Sequence, residues 1–242
     1  MKGKTLVLAM LMILLLLTGV TCGGGGGGDD GPSFEDLAGT WFGVMVDPAF
    51  NTHTYQLTMN SSGNMSDFYM DEVSIPALTG TVSRESGRIF NFLMSNENEG
   101  GFITDESGDY LAFLTGDFRR GVLEKGATEL PDYMPTDYQG SWDGYSIWLD
   151  ADFEIDNEGD TYFTVDEDFH LIGAGLGGAF SGSLLWVVGD PDHGVIFGTG
   201  NSESTYIELA PSADRTFMAT IACIVTVDIE ITDCEFGSYI KD

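Results

Sequence analysis

Leu37-Ala38-Gly39-Thr40-Trp41-Phe42-Gly43 and, 101 residues later, Tyr138-Gln139-Gly140-Ser141-Trp142-Asp143-Gly144 decide how this chain is read. Each segment puts a glycine two residues ahead of a tryptophan at the head of a strand-rich stretch. Other segments follow in the same order. Leu78-Thr79-Gly80-Thr81-Val82 answers Phe180-Ser181-Gly182-Ser183-Leu184, and Gly87-Arg88-Ile89-Phe90 answers Gly194-Val195-Ile196-Phe197. Asp109-Tyr110-Leu111-Ala112 is paired more loosely with Thr205-Tyr206-Ile207-Glu208. Conserved order at nearly constant spacing is the mark of an internal duplication.

Each copy reads as a run of short strands. In the first they are expected near Trp41–Val46, Thr54–Met59, Met65–Met70, Ala77–Ser83, Arg88–Met94, Gly101–Thr104, Tyr110–Leu114 and Gly121–Glu124. In the second they are expected near Trp142–Leu149, Thr161–Val165, His170–Gly173, Ala179–Val188, Gly194–Thr199, Thr205–Leu209, Thr216–Ala222 and Val225–Ile231. Turn residues such as Ser62-Gly63, Ser86-Gly87, Ser107-Gly108 and Glu158-Gly159 punctuate them. No stretch sustains a 3.6-residue period over three turns. Eight antiparallel strands is a number at which a sheet can close and lose its edges. The expected fold is all-β: two tandem small antiparallel up-and-down barrels of about eight strands each. Their expected bounds are 34–125 and 137–242, with a linker at 126–136 marked by Pro131 and Pro135.

The Gly-x-Trp openings Gly39-Thr40-Trp41 and Gly140-Ser141-Trp142 resemble the first-strand signature of lipocalins and the wider calycin group, which includes avidin-like barrels. The resemblance implies a barrel whose tryptophan closes one end, Gly39 and Gly140 letting the chain turn tightly into the strand. It also implies a late basic residue stacked on each indole. Arg119 or Arg120 is the candidate for Trp41, and Arg215 for Trp142. A small apolar ligand inside a barrel is the function such a fold implies. The alternative is a surface-interaction or envelope-structural protein with filled barrels and no cavity.

The N-terminus speaks to location. Lys2 and Lys4 precede an apolar run from Leu6 to Leu17, too short for a comfortable transmembrane helix and placed as a signal peptide is, over residues 1–21. Cys22 then resembles the lipidated cysteine of bacterial lipoproteins, which implies palmitate and diacylglycerol chains on that residue. Gly19 and Thr21 depart from the family's usual residues at those positions, so cleavage by a general signal peptidase stays open. Gly23 to Gly28 with Asp29, Asp30, Gly31 and Pro32 form a flexible polar tether within residues 22–33. Gly23 after the cysteine implies outer-membrane sorting, facing the periplasm or the cell surface. The partner expected is thus the membrane, through the lipid.

Composition excludes some functions. The chain carries 39 Asp+Glu against 9 Lys+Arg, a net charge of −30. Loss of Lys2 and Lys4 with the signal makes the body more acidic still. Nucleic acid and anionic headgroups repel such a surface. A hydrophobic fraction of 43% is enough to form a core.

Catalytic motifs are missing: no Gly-x-Ser-x-Gly, no His-Glu-x-x-His and no Cys-x-x-Cys. A non-catalytic role is expected. His53, His170 and His193 read as surface residues. Gly173, Gly175 and Gly178 match a dinucleotide fingerprint formally, but nothing helical follows, so a glycine-rich hairpin is the reading. Asp150, Asp152, Glu154, Asp156 and Glu158 form the metal candidate. Their hard oxygens suit Ca²⁺, against the plainer reading of a solvated acidic hairpin. Trp148, Phe153, Tyr162, Phe163 and Trp186 are read as core first and pocket second. Cys223 and Cys234 would pair in an oxidising compartment. Read as one straight strand, however, the eleven steps between them span about 36 Å, and a bridge needs Cα atoms within about 7 Å. That reading weighs against a disulfide.

Overall fold

The computed structural model describes residues 31–150, 155–190, 193–200, 205–225 and 231–242. Lys2, Lys4, Cys22 and the Gly23–Gly28 tether lie outside them, as do Asp152, Phe153 and Glu154. The described chain forms two closed antiparallel barrels of eight strands. The first contains β1 (Gly39–Val46), β2 (Thr52–Met59), β3 (Asn64–Met70), β4 (Val73–Ser74), β5 (Gly80–Ser86), β6 (Ile89–Met94), β7 (Glu99–Thr104), β8 (Tyr110–Thr115) and β9 (Arg120–Lys125). β1 pairs with β2 and β9, and β2 with β3, which shuts the ring; β4 is a two-residue strand folded back on β3. The second contains β10 (Gly140–Leu149), β11 (Ile155–Val165), β12 (His170–Gly175), β13 (Gly178–Asp190), β14 (Val195–Gly200), β15 (Thr205–Pro211), β16 (Phe217–Val225) and β17 (Ile231–Lys241). It runs strictly up and down and closes through β10 and β17.

The side-chain period of two explains both barrels. On β11, Thr161, Phe163 and Val165 are buried while Tyr162 and Thr164 are exposed. On β1, Trp41 and Met45 face the interior of their barrel. Val44 and Val46 face the other way and are also fully buried, because there they meet the second barrel. The outer faces of β1, β8 and β9 pack against those of β10, β15, β16 and β17, through Val44, Val122 and Ala112 on one side and Ile147, Ile221 and Phe236 on the other. Burial on both faces shows in the sequence of β8 and β16, Tyr110–Thr115 and Phe217–Val225, which read as nearly continuous apolar runs rather than alternating ones. Arg120 crosses this seam. Its Nε donates to Glu208 Oε2 at 2.9 Å, and both side chains are almost fully buried. Tyr110 stacks on Phe217, centroids 5.1 Å apart, and donates to Asp214.

Several sequence expectations need correction. The expected strand Val225–Ile231 does not exist as one strand. β16 ends at Val225 and the chain reverses, so that Val225 pairs with Ile231 and Cys223 lies opposite Cys234. Those cysteines are joined by a disulfide, Cα atoms 4.1 Å apart. Alternation of Val and Ile with polar residues is the same along one strand as along two arms of a hairpin, so the pattern hid the reversal. The real last strand, β17, was not foreseen. The Glu158-Gly159 turn is also absent: Glu158 and Gly159 lie within β11, opposite Ile147 and Ser146.

Within the duplication, β5 and β13 are each the fourth strand of their ring and β6 and β14 the fifth. The looser pairing of Tyr110 with Tyr206 fails, since β8 is seventh in its ring and β15 sixth. Finally, the segment between the barrels is anchored rather than loose. Tyr133 is buried, its hydroxyl 3.2 Å from the Ser212 carbonyl, and Pro135–Asp137 form a single 3₁₀ turn.

Candidate ligand sites inside the barrels

Both barrels are plugged at one end in the same way. The Trp41 indole N–H donates to the Leu37 carbonyl at 3.0 Å, and that of Trp142 to the Tyr138 carbonyl at 2.9 Å. Both rings are fully buried. The cations over them are Lys125, 5.9 Å from the Trp41 centroid, and Lys241, 5.2 Å from that of Trp142. The expectation of Arg119, Arg120 and Arg215 is therefore corrected. The lysines sit opposite the tryptophans across the β1–β9 and β10–β17 ladders. Arg120 instead faces the other barrel, and Arg215 lies beside Asp137 at 3.3 Å. Each ammonium also donates to a backbone carbonyl just before its barrel, Lys125 to Asp36 (2.7 Å) and Lys241 to Asp137 (3.0 Å). This ties the last strand to the chain entering the first. Gly39 and Gly140 have φ of 149° and 123°, a backbone that side-chain-bearing residues avoid, and they make the turn into the strand.

Above its plug the first barrel holds a cavity of about 210 Å³. Met45, Met59, Met65, Met70 and Met94 line it together with Phe68 and Phe113. Polar groups gather at its mouth, where His53 Nδ1 lies 2.7 Å from Asp71 and Nε2 lies 3.5 Å from Asp47. Hydrogen bonds from the Asn51 side chain and backbone hold the Asp47 carboxyl down to about 2. Burial pushes the Tyr55 hydroxyl up to about 12. β3 and β5 pair at only two positions, Asn64 with Thr81 and Met65 with Gly80. The chain between them supplies Ile75 and Leu78 to the cavity lining. Methionine is flexible and polarizable, so such a wall conforms to apolar guests of differing shape.

The second barrel holds a cavity of about 300 Å³. Trp148, Phe163, Leu171, Ile207 and Leu209 form apolar walls. Toward the plug, Ser146, Thr161 and Tyr239 share a buried ring of hydroxyl contacts between 2.7 and 2.9 Å. Of the aromatics read as core first, Trp148 and Phe163 thus line a cavity, while Tyr162 points outward and is exposed. Trp186 lies on β13. The glycines Gly173, Gly175 and Gly178 form the hairpin between β12 and β13.

Of the metal candidates, Asp156 and Glu158 are exposed on β11, and Asp150 follows β10. Among the described residues no group of three or more His, Cys, Asp or Glu is gathered as a metal site. His193 lies against Thr52 (3.3 Å) and His170 against Asp166 (3.2 Å).

Sequence reasoning missed the methionine wall, the two lysines, the Arg120–Glu208 pair and Glu235. The methionines carried a readable signal, since Met45 shares the face of Trp41 four residues on. Lys241 required β17 to be placed correctly, and Lys125 lies one residue beyond the expected strand Gly121–Glu124.

No family model and no curated protein sequence matches the chain. Among solved structures it is similar to a protein of unknown function of the DUF3598 family from Nostoc punctiforme, at 11% identity and a TM-score of 0.35, covering 87% of this chain and 99% of that one. A protein from Bacteroides fragilis, provisionally named an outer membrane protein, gives 10% identity and a TM-score of 0.29, covering 86% and 99%. Transferrin binding protein B from Haemophilus parasuis gives 9% identity and a TM-score of 0.26, covering 81% and 66%. Likeness at this level assigns neither family nor function.

Proposed function

We propose that this protein is an exported, lipid-anchored envelope lipoprotein. Its two lipocalin-like barrels bind small apolar molecules without catalysis, at the outer membrane. The observation that carries the ligand reading is the methionine-lined cavity above Trp41, apolar within and polar at its mouth. Pockets for small molecules are typically of this kind, apolar walls with a few polar groups that orient the guest. Its presence favours ligand binding over the alternative of filled, purely structural barrels. The N-terminal charge-then-apolar pattern, Cys22 and the glycine tether support the anchor.

Native mass spectrometry of the full protein purified from its envelope tests both parts. The expected result is a diacylglycerol and acyl mass on Cys22, together with a retained small molecule that dissociates on activation. An unmodified N-terminus beginning beyond Cys22 overturns the anchor. A barrel pair that retains nothing, and that fails to take up the neutral apolar probe N-phenyl-1-naphthylamine, overturns the ligand role.

A further inference from the structure

The two cavities differ in one group. Glu235 stands on β17 opposite Trp148 of β10 and points into the second barrel, where it lines the cavity. It is 9% exposed. Its Oε2 accepts one hydrogen bond, from the Leu176 backbone N–H at 3.2 Å. Its Oε1 is buried and has no hydrogen-bond partner among the described residues. The nearby Ser146 hydroxyl, in contact with Thr161 and Tyr239, exerts a pull on the Glu235 carboxyl but makes no hydrogen bond of normal geometry to Oε1. Among the described lining residues there is no Lys, Arg or His. A buried carboxylate oxygen left unpaired is costly, because the group has lost water and gained nothing in its place.

The surrounding chain is built to accept this carboxyl. The turn between β12 and β13 leans across the barrel to reach it. A Cβ on Gly175 would fall 2.2 Å from Glu235 Oε2, and one on Gly177 would fall 2.9 Å from the Trp148 ring. At Gly177 the neighbour is a rigid ring, so glycine is what lets the turn come that close, whereas at Gly175 a side chain would displace the carboxyl. An acid, an indole and an apolar chamber of about 300 Å³ therefore meet at one place.

We propose that the second barrel binds a small organic amine, with Glu235 as counter-ion of the ammonium and the apolar body seated among Phe163, Ile207 and Leu209. This deepens the apolar-ligand reading of the barrels and rests on it. An ammonium supplies the donor that Oε1 lacks. Trp148, opposite Glu235 in the β10–β17 register and lining the same cavity, brings an aromatic ring of the kind that attracts a cation. A hydroxyl in the same place offers Oε1 only a neutral hydrogen bond and no opposite charge, and an anion meets like charge.

The test uses the full chain in phosphatidylcholine nanodiscs, with empty nanodiscs as blank, and calorimetric titration with three probes sharing one indole body: tryptamine, the neutral tryptophol and the anionic indole-3-acetate. The expected result is one tryptamine per chain, bound at least about tenfold tighter than tryptophol, as a charge-assisted hydrogen bond provides. Indole-3-acetate should be weakest. Glu235→Gln should bring tryptamine and tryptophol within about twofold of each other. Ala222→Trp, which fills the cavity across the β16–β17 ladder from Glu235 without replacing that residue, should abolish tryptamine binding. Tryptophol binding the native protein as tightly as tryptamine overturns the amine inference and leaves the apolar-ligand reading standing. A tryptamine preference that persists in Glu235→Gln or Ala222→Trp overturns it as well. Absence of binding by all three probes overturns both readings for this barrel.

Discussion

The two barrels share a floor and differ in what stands above it. In each, a buried indole donates to the backbone four residues back, and a lysine from the last strand lies over the ring. Above the floor the first barrel is walled by methionines, with its charges at the mouth, whereas the second carries a buried carboxylate and a belt of hydroxyls. The floor sets closure, and closure needs the same few contacts in both copies. The chamber sets the shape and polarity of the enclosed space, and there the copies differ. Their outer faces tell the same story, since each barrel buries part of its wall against the other through Arg120 and Glu208.

The plugs give the largest expected effects. Trp41→Ala and Trp142→Ala should each destabilise the protein by about 3–5 kcal/mol, the range for a fully buried large aromatic. Urea unfolding should show the two losses equal within about 1 kcal/mol. A large inequality would break the equivalence of the two floors. Arg120→Met should cost about 3–5 kcal/mol as well, because Glu208 is left buried without an opposite charge, with the Tyr206 hydroxyl still donating to it. Adding Glu208→Leu should restore most of that loss in the same assay. If it does not, the seam depends on packing rather than on charge.

Smaller effects sharpen the contrast between the chambers. Burial raises the Glu235 carboxyl above the ordinary glutamate range, against the pull of the Leu176 N–H and of the Ser146 hydroxyl. An acid raised in the folded state binds its proton more readily there than in the unfolded chain. Its contribution to stability is therefore present below the unfolded value and lost as pH rises through the folded one. Its titratable neighbour Tyr239 is pushed by burial to about 12 and stays neutral throughout. Glu235→Gln should thus gain about 1–2 kcal/mol over the native protein at pH 8 and nothing at pH 4. Equal effects at both pH values would place Glu235 in water. Least of all, Lys125→Met and Lys241→Met should each cost about 1 kcal/mol, as one cation–π contact and its carbonyl hydrogen bonds are lost.

Strand positions in the first half were legible because its turns carry Gly and Asn between runs of β-forming residues. The eight expected strands there all overlap observed ones, and only the two-residue β4 was missed. Legibility failed near the C-terminus. Val225 to Ile231 alternates cleanly, yet the chain reverses within it and brings Cys223 to Cys234. The candidate sites were harder still. Arg120 and Lys125 lie five residues apart on one strand, and only the register decides which faces Trp41 and which the other barrel.

What the sequence determined by itself was the all-β class, the duplication and the two indole floors. A strand's period of two and a repeated Gly-x-Trp are local facts, and local facts survive in one dimension. Tertiary structure alone decided which face of each strand counts as inside. On β17, Phe236 is buried against the first barrel and Glu235 is turned into the second, the reverse of what polarity suggests. The reason is that a wall pressed between two cores has no water on either side. Polarity then no longer separates the faces, and only the packing of one barrel on the other assigns them.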